Sequence, residues 1–146
     1  MWEELAKFLR DIIKANDNIE DVYLVETEKF TGDPFVTLTP SGNESDFDTT
    51  TENGRAYGFM LRIFNERGGE VSIENAEEAM RILVDSVLDD LDKNWDLSGL
   101  ATPAGYSFLY MEAAPSAWGY IDREVSHRVA EINIRCHFEI DTELIT

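Results

Sequence analysis

From Arg128 to Asp141 the chain alternates without a break. Ala130, Ile132, Ile134, Cys136, Phe138 and Ile140 are apolar, and Glu131, Asn133, Arg135, His137, Glu139 and Asp141 between them are polar. Successive side chains of a strand point to opposite faces, so this pattern predicts a long strand with one dry and one wet face. A second long strand is predicted over Arg55 to Arg67. Tyr57, Phe59, Leu61 and Ile63 share one of its faces, and Ala56, Gly58, Met60, Arg62 and Phe64 share the other. Apolar residues on both faces predict a central position. Two segments show helical spacing instead. Trp2, Leu5, Leu9, Ile12 and Ile13 form one stripe within Trp2 to Asn16. Ala76, Met80, Leu83, Val84, Val87, Leu88 and Leu91 form another that ends near Asn94. Asn75 and Glu78 have the spacing of a capping box for this second helix. The two stripes are the cover that the dry strand face needs.

The weaker segments fill in the order. Val22 to Thr27 and Phe35 to Thr39 read as short strands, joined by a turn at Thr31-Gly32-Asp33-Pro34, with Pro40 ending the second. Ser41 to Glu52 is polar and is expected as a long loop or the mobile tip of a hairpin arm. Asn53-Gly54 is a turn signal and Gly68-Gly69 closes the long strand. Tyr106 to Ala113 is a further strand, followed by an excursion over Ala114 to Ser126. The sequence shows no repeat, low-complexity tract or linker. The expectation is therefore a single domain spanning 1–146, of order α-β-β-β-α-β-β. It is an α+β two-layer sandwich, with a mainly antiparallel sheet of four to five strands and both helices packed on one face.

Charge changes this picture more than size does. The 146 residues include 30 acidic and 12 basic side chains, a formal net charge of −18. Affinity for nucleic acid rests on Lys and Arg neutralising phosphates, so this balance argues against a DNA-gripping module. It fits solubility, a solvated acidic face, a salt-rich cytoplasm, or an acidic surface past which DNA slides. No apolar run approaches the ~20 residues of a membrane span. The start, Met1-Trp2-Glu3-Glu4, lacks the basic region of a signal peptide. The single cysteine, Cys136, lies on the dry face and is expected to act as a small buried hydrophobe.

Candidate chemistry is sparse. His127 and His137 are the available bases, and neither stands in a Ser or Cys context that would make a nucleophile. The run from Asp90 to Asp96 resembles the opening of a calcium loop, but Trp95 stands where the sharp turn needs Gly, and Ala101 where the bidentate Glu belongs. No Cys or His pair has zinc spacing, and no Gly-rich loop leads from strand to helix as phosphate binding requires. Neither a catalytic residue nor a cofactor or metal is expected. Large aromatics in polar segments remain: Phe47 in the Ser41 to Glu52 stretch, and Trp118 and Tyr120 in the Ala114 to Ser126 excursion. Each is either pinned onto its own sheet or an anchor in a subunit interface.

Two groups of phrases resemble one family. Thr39-Pro40-Ser41-Gly42-Asn43-Glu44-Ser45-Asp46, with Thr50-Thr51-Glu52-Asn53 and Tyr57-Gly58-Phe59, looks like the hairpin region of tail terminator (tail-completion) proteins of long-tailed viruses. Ala114-Pro115-Ser116-Ala117-Trp118-Gly119-Tyr120, with Arg128-Val129-Ala130-Glu131-Ile132, reads the same way. The resemblance implies a homo-oligomeric, hexameric ring that caps the head-proximal end of the tail tube and ends tube polymerisation. Such a ring meets the tail tube protein on one side and a neck or head-completion protein on the other. DNA passes through its lumen without specific binding. It also implies a virion component made in the host cytoplasm, without membrane contact and without catalytic residues to transfer. A head-closure, connector or tail-tube subunit of the same assembly is the nearest alternative reading. A small α+β enzyme or ligand-binding domain is the alternative of another class.

Overall fold

The computed structural model describes residues 1–25, 34–47, 49–66, 73–120 and 127–145, with backbone alone at 46, 66, 73–76, 117–120 and 127. The elements in order are α1 (Trp2–Lys14), β1 (Asp21–Tyr23), β2 (Phe35–Phe47), β3 (Glu52–Glu66), α2 (Ile73–Lys93), β4 (Tyr106–Tyr120) and β5 (His127–Asp141). This is the expected α-β-β-β-α-β-β order. The five strands form one sheet in the order β1-β2-β3-β5-β4. All neighbours are antiparallel except β1 and β2, which run parallel, so the sheet is mixed.

The dry face of β5 does what its alternation requires. Ala130, Ile132, Ile134, Cys136, Phe138 and Ile140 are all buried, together with Tyr57, Phe59, Leu61 and Ile63 of β3 and Val36 and Leu38 of β2. Leu5, Leu9 and Ile13 of α1 and Met80, Val84, Val87 and Leu91 of α2 close over them in the same core. At about 1.5–3 kcal/mol for each large side chain taken from water, this layer is the main favourable term of the fold. Trp2 extends it, meeting the rings of Tyr57 and Phe59 edge-on at 4.9 and 5.2 Å. Leu97, just past α2, adopts a left-handed φ of 43° and is buried. Core burial offsets the strain of a branched residue in that region.

Asn16 joins the two helices. Its amide nitrogen donates to Ser86 at 2.8 Å and to the Asp90 carboxylate at 2.7 Å, while its carbonyl oxygen accepts from the Asn18 N–H at 2.9 Å. This gives Asp90, unfavourably placed against the dipole of its own helix, a structural task.

Four sequence expectations change. Pro40 does not end its strand. It lies opposite Phe59 at an irregularity between Pro40 and Gly42, a place where a missing donor is tolerated, and β2 continues to Phe47. Asn53-Gly54 is paired within β3 rather than forming a turn, so Ser41 to Glu52 is mostly strand. Likewise Ala114 to Tyr120 is strand, because bulges between Phe108 and Tyr110 and between Pro115 and Ala117 reset the pairing with β5. The second helix begins at Ile73, which puts Asn75 inside it rather than at its cap. The expected Thr31-Gly32-Asp33 turn, the Gly68-Gly69 stop, and the parts of the predicted strands and excursion at Glu26–Thr27, Arg67 and 121–126 lie outside the described residues.

Register assigns the two sheet faces. Phe35, Phe64 and Val129, on the face away from the helices, form a small separate apolar cluster with Tyr23 beside it. Phe35 and Phe64 stack there at 4.6 Å. The rest of that face is mostly polar or small.

Candidate functional site

The end of the sheet near the β2–β3 connection gathers five of the large exposed apolar side chains among the described residues: Phe47, Leu109, Tyr110, Leu144 and Ile145. Phe47 is 59% exposed. It pairs with Asn53, which pairs with Ile140 of the core, so register puts Phe47 on the helix side of the sheet. Two positions along β3, Arg55 also takes the helix side. Its guanidinium donates to the hydroxyls of Tyr57 at 3.1 Å and Tyr106 at 3.0 Å, and its carbon lies 5.9 and 5.7 Å from those two ring centroids. The Tyr57 hydrogen bond leads in holding the Arg55 pKa above its ordinary value, against the opposing effect of burial. Burial in turn raises the Tyr57 pKa, against the pull of Arg55. Arg55 has no carboxylate partner among the described residues.

The opposite face at the same end is an open depression along β3. Gly54 and Ala56 lie at its floor, Glu44 on the β2 side, and Leu109, Tyr110 and His137 on the β4–β5 side. Tyr110 stacks on His137 at 4.4 Å, and His137 Nε2 lies 2.8 Å from Glu112 Oε1. Arg135 reaches Glu44 at 3.2 Å across the strands. These exposed pairs contribute little to stability. Glu139, which alternates with the buried Phe138 and Ile140 and so faces this side, makes no ion pair among the described residues. Leu109 and Tyr110 are 47% and 44% exposed, and Leu144 and Ile145 at the chain end add 58% and 45%. Thr142 fixes that end to the β2–β3 connection, its N–H and hydroxyl both donating to the Thr51 carbonyl at 2.8 and 3.1 Å.

Of the three aromatics singled out in the sequence, only Phe47 belongs to this end. Trp118 and Tyr120 lie on β4 opposite Ala130 and Arg128, and their side chains are outside the described residues. Ten positions of β5 separate Ala130 from Ile140, about 33 Å of strand. No protein-family model matches the chain, and comparison with curated proteins gives no match. A solved structure resembles it. That likeness is to a chain from the virion of a native gene transfer agent (GTA) particle, at 16% identity and a TM-score of 0.45, covering 94% of this chain and 90% of that one.

His137, one of the two candidate bases, is engaged with Glu112 and Tyr110; the His127 side chain is outside the described residues. Among the described residues no group of His, Cys, Asp and Glu has the makings of a metal site. Cys136 is buried, and burial pushes its thiol up to about 12.

Sequence reasoning passed over Arg55, although a signal was present. It continues the Tyr57-Phe59-Leu61-Ile63 face, so a charge was due on a dry register. Leu109 gave no such signal, because it is the extra residue of a bulge.

Proposed function

We propose that this chain is a non-enzymatic structural protein of a virus tail, a terminator subunit that works by docking against copies of itself and its assembly neighbours. The observation that supports it best is the one-sided cover of the sheet. Both helices pack on one face, and no described helix covers the other; its Phe35–Phe64–Val129 end is buried, while Glu44, Arg135, Tyr110 and Glu112 across its far half are exposed. Such a layer is a surface for neighbours. The phrases resembling tail-completion proteins fall on the far half of β2 and the far half of β4, at opposite ends of the sheet. Two unlike patches set apart in this way suit a ring, where one patch of each subunit binds a different patch on the next. Phe47 at one end and Trp118 and Tyr120 at the other are the anchors assigned to them. In this reading the ring is hexameric, meets the tail tube and the neck protein, and passes DNA through its lumen. The −18 net charge keeps passing DNA from adhering.

Antibody-gold labelling of particles tests the assignment. Label at the head–tail junction is expected. Label along the whole tail would make the chain a tube subunit, and unlabelled particles would remove it from the virion.

A further inference from the structure

The two faces of the hairpin end carry complementary groups that cannot meet within one molecule. Phe47 and Arg55 stand on the helix side. The Gly54–Ala56 depression, Leu109, Tyr110 and Glu139 stand on the other. Arg55 is paired in register with Phe138, the residue next to Glu139, yet the sheet itself separates the guanidinium from that carboxylate. In a chain with 30 acidic side chains, an arginine held among the described residues by two phenol oxygens and no carboxylate is a cation available to an outside acid. Glu139 is a half-buried carboxylate with no basic partner among the described residues.

We infer that the hairpin end is a head-to-tail joint between copies of this chain, with Phe47 of one copy seated in the Gly54–Ala56 depression of the next and Arg55 pairing with its Glu139. The inference rests on the ring reading above but changes the patch that receives Phe47: it is the opposite face of the same hairpin end, which leaves the Trp118 end to other neighbours in the assembly. The occupant is a second copy because each patch supplies what the other lacks: an exposed ring for a depression flanked by exposed Leu109 and Tyr110, and a cation for an acid. Two copies of so acidic a chain repel each other, and an ion pair at the joint offsets that repulsion locally. Since the patches face opposite ways, the contact is heterologous and repeats in one direction, as a ring demands. Two-fold pairing through the same residues is geometrically excluded.

Sedimentation velocity over a concentration series tests the joint with Phe47→Ala, Arg55→Glu, Glu139→Arg and the double variant Arg55→Glu/Glu139→Arg, each checked for native circular dichroism. Each single substitution should weaken self-association at least about tenfold, and the double variant should recover to within a few-fold of the parent chain, the signature of a coupled pair. If Arg55→Glu does not fold, Glu139→Arg alone decides, because it places a cation against Arg55 of the neighbour while altering only the solvated face. A parent chain that associates while Phe47→Ala and Glu139→Arg associate equally well overturns the joint and leaves the ring standing. A parent chain that stays monomeric at all concentrations, alone and in the presence of tail tubes, overturns the ring reading, and the joint with it.

Discussion

Cys136 offers a direct probe of how well the helices cover the sheet. It lies at the middle of β5, paired with Tyr57 on one side and Met111 on the other, and is fully buried. Burial raises its pKa from 9.0 to about 12. The thiolate is the reacting species, so near pH 8 the folded chain should hold about a thousandfold less of it than a free cysteine would. Exclusion of reagent from the core slows labelling further, leaving rare unfolding as the route. The measurement is release of thionitrobenzoate from Ellman's reagent at about pH 8, with and without denaturant, using Cys136→Ser as the blank. One thiol should react within seconds in denaturant and over hours or longer without it. The same shift fixes a pH dependence. The folded state prefers the neutral thiol, so this contribution is complete below pH 9 and lost as pH rises toward 12, where the unfolded chain has ionised first. Its size is at most about 4 kcal/mol. Stoichiometric labelling of the native protein within seconds would show the dry face of β5 to be open, and would refute the packing described above.

Other substitutions test separate parts of the structure. Asn16→Ala removes the amide that donates to Ser86 and Asp90 and accepts from Asn18, and should cost about 3 kcal/mol in a urea melt, given one charged and two neutral hydrogen bonds. A loss below 1 kcal/mol would mean that the helix junction does not depend on it. Gly105 has a φ of 86°, and a Cβ there would come 2.7 Å from the Asp141 carbonyl oxygen, so Gly105→Ala should destabilise by about 2 kcal/mol or more. An unchanged melting temperature would contradict that backbone geometry. Trp118→Ala should reduce assembly while leaving the subunit's melting temperature near that of the parent chain. A drop as large as that of a core deletion would mark Trp118 as internal packing.

The sequence was most legible where one periodicity ran long enough to be unambiguous. The six apolar positions from Ala130 to Ile140 and the Tyr57-to-Ile63 face of β3 are buried as their alternation requires, and both helical stripes lie in the same core. Legibility failed where strands are held by their neighbours rather than by their own residues. Ser41 to Asp46 has no apolar position, and only pairing with Gly54 to Gly58 makes it a strand. In β4 the two bulges break the alternation, so a fifteen-residue strand reads as a short one followed by a loop. The parallel β1 is three residues long, too short for any period to show. Surface patches were harder still. Phe47 stood out as the one large apolar residue in a polar stretch, but the opposition of Arg55 and Glu139 across the sheet becomes visible only once register assigns each to a face.

The central claim is that this chain acts by fitting against copies of itself, and electron cryo-microscopy of the purified protein across a concentration series tests it most directly. Closed rings of six subunits with a central hole, joined through unlike patches, are the predicted result. Single subunits at every concentration, alone and in the presence of tail tubes, would contradict it.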